Sequence, residues 1–96
     1  MAKKQSSPLS VPQAVQVFHL LGDPSRLRIL QVLLDRDEAC VGDVCAAVGQ
    51  SQAAVSHHLM LLRRGRLVEY RRAGQQNFYR VSSAVVPELL QRVGAD

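Results

Sequence analysis

A mainly α fold carrying a β-hairpin, in the order α-α-α-α-β-β-α, is the architecture this chain predicts. Three observations predict it. Apolar residues recur at helical spacing in four segments before residue 65 and again after residue 83. Two stretches of alternating apolar and polar residues flank Gly74. Between the segments stand residues that start and stop helices: Gly22, Asp23, Pro24, Gly49, Ser51 and Gly65.

The first helix carries Val11, Ala14, Val15, Phe18 and Leu21 at helical spacing, with Val17 and Leu20 widening the apolar face, and Gly22 ends it. Asp23-Pro24 then supplies a cap and a first-turn proline to a second helix with Leu27, Ile29, Leu30, Leu33 and Leu34 on its apolar side. The run Asp35, Arg36, Asp37, Glu38 reads as a polar connection. Val41, Val44, Cys45 and Val48 space as a short third helix that stops at Gly49. Ser51 caps a fourth, with Val55, Leu59 and Leu62 inward and Gly65 at its end. Strands follow at 67–72 and 77–81, where Val68 and Tyr70 alternate with Glu69 and Arg71, and either Phe78 or Tyr79 packs inward. Ser82 or Ser83 caps a last helix bearing Val86, Leu89, Leu90 and Val93, with Pro87 in its first turn.

Ninety-six residues, 47% of them apolar, suit one domain over residues 11–96 behind a flexible basic arm at 1–10. A chain this short gains from a second copy, because it buries a small share of its surface alone. The net charge of +4 and the pI near 9.7 favour an anionic partner, nucleic acid first. No apolar run approaches the roughly 20 residues that span a bilayer, so no membrane role is expected. The start MAKKQSSPLS has lysines but no apolar stretch after them, which is not a secretory pattern. A cytoplasmic location and two thiols, not a structural disulfide, are the expectations.

The tight turn between the third and fourth helices is what a helix-turn-helix requires. The fourth helix presents Ser51, Gln52, Ala53, Ser56 and His57 outward near its N-terminus. Gln pairs with adenine edges, Ser with several bases, and an Ala methyl with that of thymine. Directly after it comes a basic hairpin. Residues 63–80 hold six of the twelve Lys and Arg and a single acid, Glu69, so charge concentrates beside the reading helix. At or next to the hairpin tip are Arg71, Arg72, Gln75 and Gln76, where arginines can neutralise phosphates or enter a narrowed minor groove. The plain alternative is a solvated charged hairpin. The fold expected is therefore a winged helix-turn-helix, the hairpin being the wing.

With those residues in place, LGDPSRLRIL at 21–30 and SQAAVSHHLMLLRRGRLVEYRRAGQQNFYRV at 51–81 resemble the ArsR/SmtB winged helix-turn-helix repressors, over about Val11 to Val93. The resemblance implies a homodimer joined through the helices near 11–21 and 83–93. It also implies binding to double-stranded operator DNA, with release when an inducer binds or a thiol reacts.

The sensor departs from that pattern. Where metalloid- and cadmium-responsive members carry Cys-Val-Cys, this chain has Cys40-Val41-Gly42. One thiolate is not a chelate for a soft metal. Cys45 falls on another side of a regular helix and on its apolar face, so it joins Cys40 around a trivalent metalloid or soft metal ion only if the helix start is irregular. The two cysteines read either as inert small apolar residues or as sensing thiols. The last helix has no His, and its acids are Glu88 and Asp96, so the zinc ligands of some members are missing. Cysteines that pair across the second and last helices in persulfide sensors are missing too. His57 and His58 point about 100° apart and are poorly placed to share an ion. His19 reads as structural or solvated.

No nucleophile-base pairing, glycine-rich phosphate loop or catalytic metal spacing is present, which argues against an enzyme. A DNA-binding transcriptional regulator is the leading reading. The alternatives are a winged helix that docks a protein partner, and a regulator with no metal sensing.

Overall fold

The computed structural model describes residues 8–94. Lys3 and Lys4 of the expected arm lie outside the described residues. Its last residue, Ser10, is the N-cap of the first helix, α1 (Val11–Leu21). Ser10 Oγ accepts the Gln13 N–H at 3.2 Å and Gln13 Oε1 accepts the Ser10 N–H at 2.9 Å, a reciprocal cap that satisfies two otherwise unpaired donors.

Four more helices and three strands follow: α2 (Pro24–Arg36), β1 (Ala39–Cys40), α3 (Val41–Val48), α4 (Gln52–Arg64), β2 (Val68–Ala73), β3 (Gln76–Val81) and α5 (Val85–Leu90). The strands form one antiparallel sheet in the order β1-β3-β2. The sequence reading held the helices and the hairpin but not β1. Two residues are too few to show alternation, and Ala39–Cys40 is a strand only because it pairs with Tyr79 and Phe78. The polar connection is also shorter than expected, since Asp35 and Arg36 complete α2.

Buried between α2, α3, α4 and the sheet are Ile29, Leu30, Leu33, Val44, Val55, Leu59, Leu62 and Val68, joined by Val86 of α5. Each side chain of this kind contributes about 1.5–3 kcal/mol when fully removed from water. The apolar residues of α1 divide differently from a single face. Val17 and Leu20 pack inward, while Val11, Val15 and Phe18 stay open, Phe18 at 62% exposure.

Local signals explain most of the element ends. Asp23 caps α2, Oδ2 accepting the Arg26 N–H at 3.0 Å, and Ser51 caps α4, Oγ accepting the Ala54 N–H at 3.1 Å. Gly49 stops α3 in the left-handed conformation at φ 70. Gly65 acts otherwise. Its φ of −79 is open to any residue, and the left-handed position is the next one, Arg66 at φ 64. A side chain at 65 would collide with the Leu20 Cδ1 atom, so the glycine is there to let α1 approach. At the tip of the hairpin Gly74, φ 63, opens a two-residue loop completed by Gln75.

The last helix is shorter than the apolar spacing suggests. Val93 lies beyond it, and its N-cap is Ala84, not Ser82 or Ser83. Ser83 Oγ still accepts the Val85 N–H at 3.1 Å.

Candidate nucleic-acid interface

Helix α4 separates its two sides cleanly. Val55, Leu59 and Leu62 are fully buried, while Ser51, Gln52, Ala53, Ser56 and His57 are all exposed at its N-terminal half. The turn that presents this half is held from below, Gln50 Nε2 donating to Ser25 Oγ at 2.6 Å. That bond ties the helix-turn-helix to the first turn of α2. His58, beside His57, turns back toward α2, where its Nδ1 lies 3.5 Å from Arg26 Nη1. The two His rings stand 5.9 Å apart and are tilted by 55°.

The hairpin stands beside α4. Its pairing runs Val68–Val81, Tyr70–Tyr79, Arg72–Asn77 on one face and Glu69–Arg80, Arg71–Phe78, Ala73–Gln76 on the other. The first face continues the core: Val68 is buried, Tyr79 packs against the buried cluster, and Tyr70 meets Tyr79 at 5.2 Å and the Arg63 guanidinium at 5.3 Å. Farther out on this face Arg72 and Asn77 look across a gap at α4. A cleft of about 470 Å³ results, bounded by Gln52 and Ser56 of α4, by Arg72, Gln75, Gln76, Asn77 and Tyr79 of the wing, and by Cys40, Val41 and Gly42 at the start of α3.

Five of the sequence-predicted DNA contacts, Gln52, Ser56, Arg72, Gln75 and Gln76, thus line one concave surface, while Ser51, Ala53 and His57 are exposed on α4 outside its lining. Arg71 does not share it. It lies on the opposite sheet face and pairs with Glu38, Nη2 to Oε1 at 2.6 Å. The Arg71 side-chain hydrogen bond holds the Glu38 carboxyl below its ordinary range, and Glu38 raises Arg71 in return. Asn77, Val41 and Gly42 were missed by sequence reasoning. The strand alternation of Asn77 with Phe78 was the signal available for the first; the other two stood out only as part of the sensor stretch Cys40-Val41-Gly42, not as a wall of this cleft.

Arg72 also steadies the tip, its Nε donating to the Gly74 carbonyl at 3.3 Å. Arg80, farther down the hairpin, is neutralised by Glu69 at 2.6 Å.

Cys40 and Cys45 are half-buried free thiols. Among the described residues no three His, Cys, Asp or Glu side chains of one chain gather so as to hold a metal ion. No helix among them is long and apolar enough to cross a membrane.

Residues 23–70, from the cap of α2 to the middle of β2, match the bacterial regulatory proteins of the arsR family. A transcriptional repressor SmtB homolog of Synechocystis is 44% identical over 93% of this chain and 69% of its own. Reduced HlyU from Vibrio cholerae superposes with a TM-score of 0.80 at 39% identity, covering 88% of this chain and 92% of that one. A homodimeric winged helix-turn-helix DNA-binding domain from Mycobacterium bovis superposes at 0.77 with 32% identity, over 86% of this chain and 76% of its own. The exposed N-terminal face of α4, the hairpin set across a cleft from it and these likenesses agree: the chain belongs to the arsR family of winged helix-turn-helix transcriptional regulators.

Proposed function

We propose that the protein is a dimeric repressor that seats the N-terminal half of α4 in the major groove of an operator and lays the wing along the flanking backbone. It acts by binding, not by catalysis, and in the cytoplasm. The observation that carries this reading is the cleft itself. It sets Gln52 and Ser56, side chains able to read base edges, opposite Arg72, which suits a phosphate. The open stripe Val11, Val15 and Phe18 supports pairing with a second copy through α1, with Leu89 and Val93 adding exposed apolar surface near the C-terminus.

The test is a salt series on the duplex that the wild-type protein enriches from a random pool. Affinity falls steeply with salt as phosphate neutralisation releases counterions. Arg72→Ala weakens binding to every duplex and flattens the log–log slope by about 0.9. An unchanged slope refutes the wing's role.

One observation favours a particular mode of release. Cys40 borders the cleft that the DNA occupies in this reading, so a group added to its sulfur competes with the duplex for space. Release is measured against arsenite, cadmium, zinc, peroxide and persulfide, for wild type beside a Cys40→Ser, Cys45→Ser double variant. Equal release of both proteins removes the thiols as sensors.

A further inference from the structure

Arg71 and Arg72 are neighbours in sequence and opposites in space. Arg72 shares its sheet face with Tyr70, and Arg71 shares the other face with Phe78, its cross-strand partner. On that face the Arg71 guanidinium lies 5.0 Å from the Phe78 ring centroid. It reaches past β3 to Glu38, just ahead of β1, with Nε to Oε2 at 3.0 Å and Nη2 to Oε1 at 2.6 Å. This is a two-pronged arginine-carboxylate pair, and a phosphate would use the same fork of N–H groups. Both partners face water, Arg71 at 59% and Glu38 at 33% side-chain exposure, so the pair is screened by salt and free to exchange.

We propose that Glu38 is a specificity-determining residue that competes with DNA phosphate for Arg71. In the free protein Glu38 neutralises Arg71, which then adds nothing to the wing's attraction for a duplex. A phosphate held alongside β2 takes over the guanidinium fork, and only then does Arg71 release a counterion. A duplex lying loosely on the protein does not hold a phosphate there, and Arg71 stays on Glu38. The acid therefore suppresses sequence-independent binding more than binding at a site where α4 is seated. This rests on the reading of the wing as a DNA-contacting element.

The experiment compares wild type with Glu38→Gln, which keeps the side-chain shape and removes its charge. The probes are a mixed-sequence duplex and the duplex enriched from a random pool. Glu38→Gln is expected to raise affinity for the mixed-sequence duplex about three- to tenfold near 50 mM salt and to steepen the salt slope by about 0.9. The gain on the enriched duplex is smaller, so discrimination between the two falls. In an Arg71→Gln background the same replacement leaves the slope unchanged. Unaltered affinity and slope overturn the proposal, as does a steepening that survives without Arg71. Weaker binding at unaltered slope also overturns it, by making the pair a prop for the wing. If Arg72→Ala weakens binding while Glu38→Gln does nothing, only the role of Glu38 fails. If neither has an effect, the wing reading fails as well.

Discussion

Arg26 closes the end of α1: its Nε donates to the Leu20 carbonyl at 2.7 Å. Its Nη2 reaches the His19 carbonyl at 3.4 Å, and Nη1 lies 3.5 Å from His58 Nδ1 on α4. One guanidinium thus joins the last turn of α1 to the flank of α4. Helix C-termini leave carbonyls unpaired, and a cation there meets both the lone pairs and the dipole.

Removing Arg26 should therefore loosen α1. Arg26→Ala is expected to lower stability by about 1.5–3 kcal/mol, the range for hydrogen bonds to a charged group. Arg26→Lys keeps the charge without the planar fork and should recover only part of it. Urea midpoints of the three proteins check this, and a full recovery by lysine would show that charge alone matters.

Base reading should separate from backbone binding. Gln52→Ala and His57→Ala change exposed side chains at the N-terminal half of α4 and are expected to lose about 1–3 kcal/mol of discrimination between the enriched duplex and its single-base variants. The salt slope stays put. Competition binding against a panel of variant duplexes measures it.

The open α1 stripe gives a prediction about assembly. Phe18 is 62% exposed in the single chain. Phe18→Glu should shift the protein toward monomer in sedimentation equilibrium while leaving its helix content unchanged, because the residue takes no part in the buried core. A dimer that survives the charge would place the interface elsewhere.

Gly65 tests the packing of α1 on the end of α4. Gly65→Ala puts a methyl where Leu20 lies, and overpacking of this sort costs about 1–3 kcal/mol. Leu20→Val in the same chain should return some of that loss. Purely additive destabilisation of the pair would mean the two residues do not compete for one space.

Asp23 supplies a pH dependence. The Arg26 N–H bonded to its side chain is the main cause that holds its carboxyl below the ordinary value of 3.8, with burial opposing it and the charges of Arg26 and His58 adding to it. The folded pKa is below the unfolded one. The stabilisation is then complete above 3.8 and fades as pH falls through the folded value. Asp23→Ala should lower stability near neutrality by about 0.5–2 kcal/mol, and the gap should close in acid. Unfolding curves at both pH values decide it; a gap undiminished in acid would contradict the cap.

Helix α4 and its supports were legible because their signals are local. Ser51 caps, Val55, Leu59 and Leu62 repeat at helical spacing, and Gly49 stops the helix before. Each depends on residues within a turn or two. The wing's hairpin was legible for the same reason, through Gly74 and the alternation around it. The division of Arg71 from Arg72 was half legible. Alternation alone sets them on opposite faces, but which face meets α4 depends on how the hairpin docks.

What the amino-acid order determined by itself was the succession of helices, the hairpin, the caps at Asp23 and Ser51, and the basic character of the segment after α4. Tertiary structure alone decided the rest. It made a strand of Ala39–Cys40 by pairing it with β3, turned Val17 and Leu20 inward and left Phe18 open, and set the end of Leu20 where a side chain at 65 would stand. It also bound Arg71 to Glu38 across 33 residues of chain. The physical reason is common to all four. Periodicity and capping are short-range properties of the backbone, whereas partners distant in sequence meet only after the chain has closed its core.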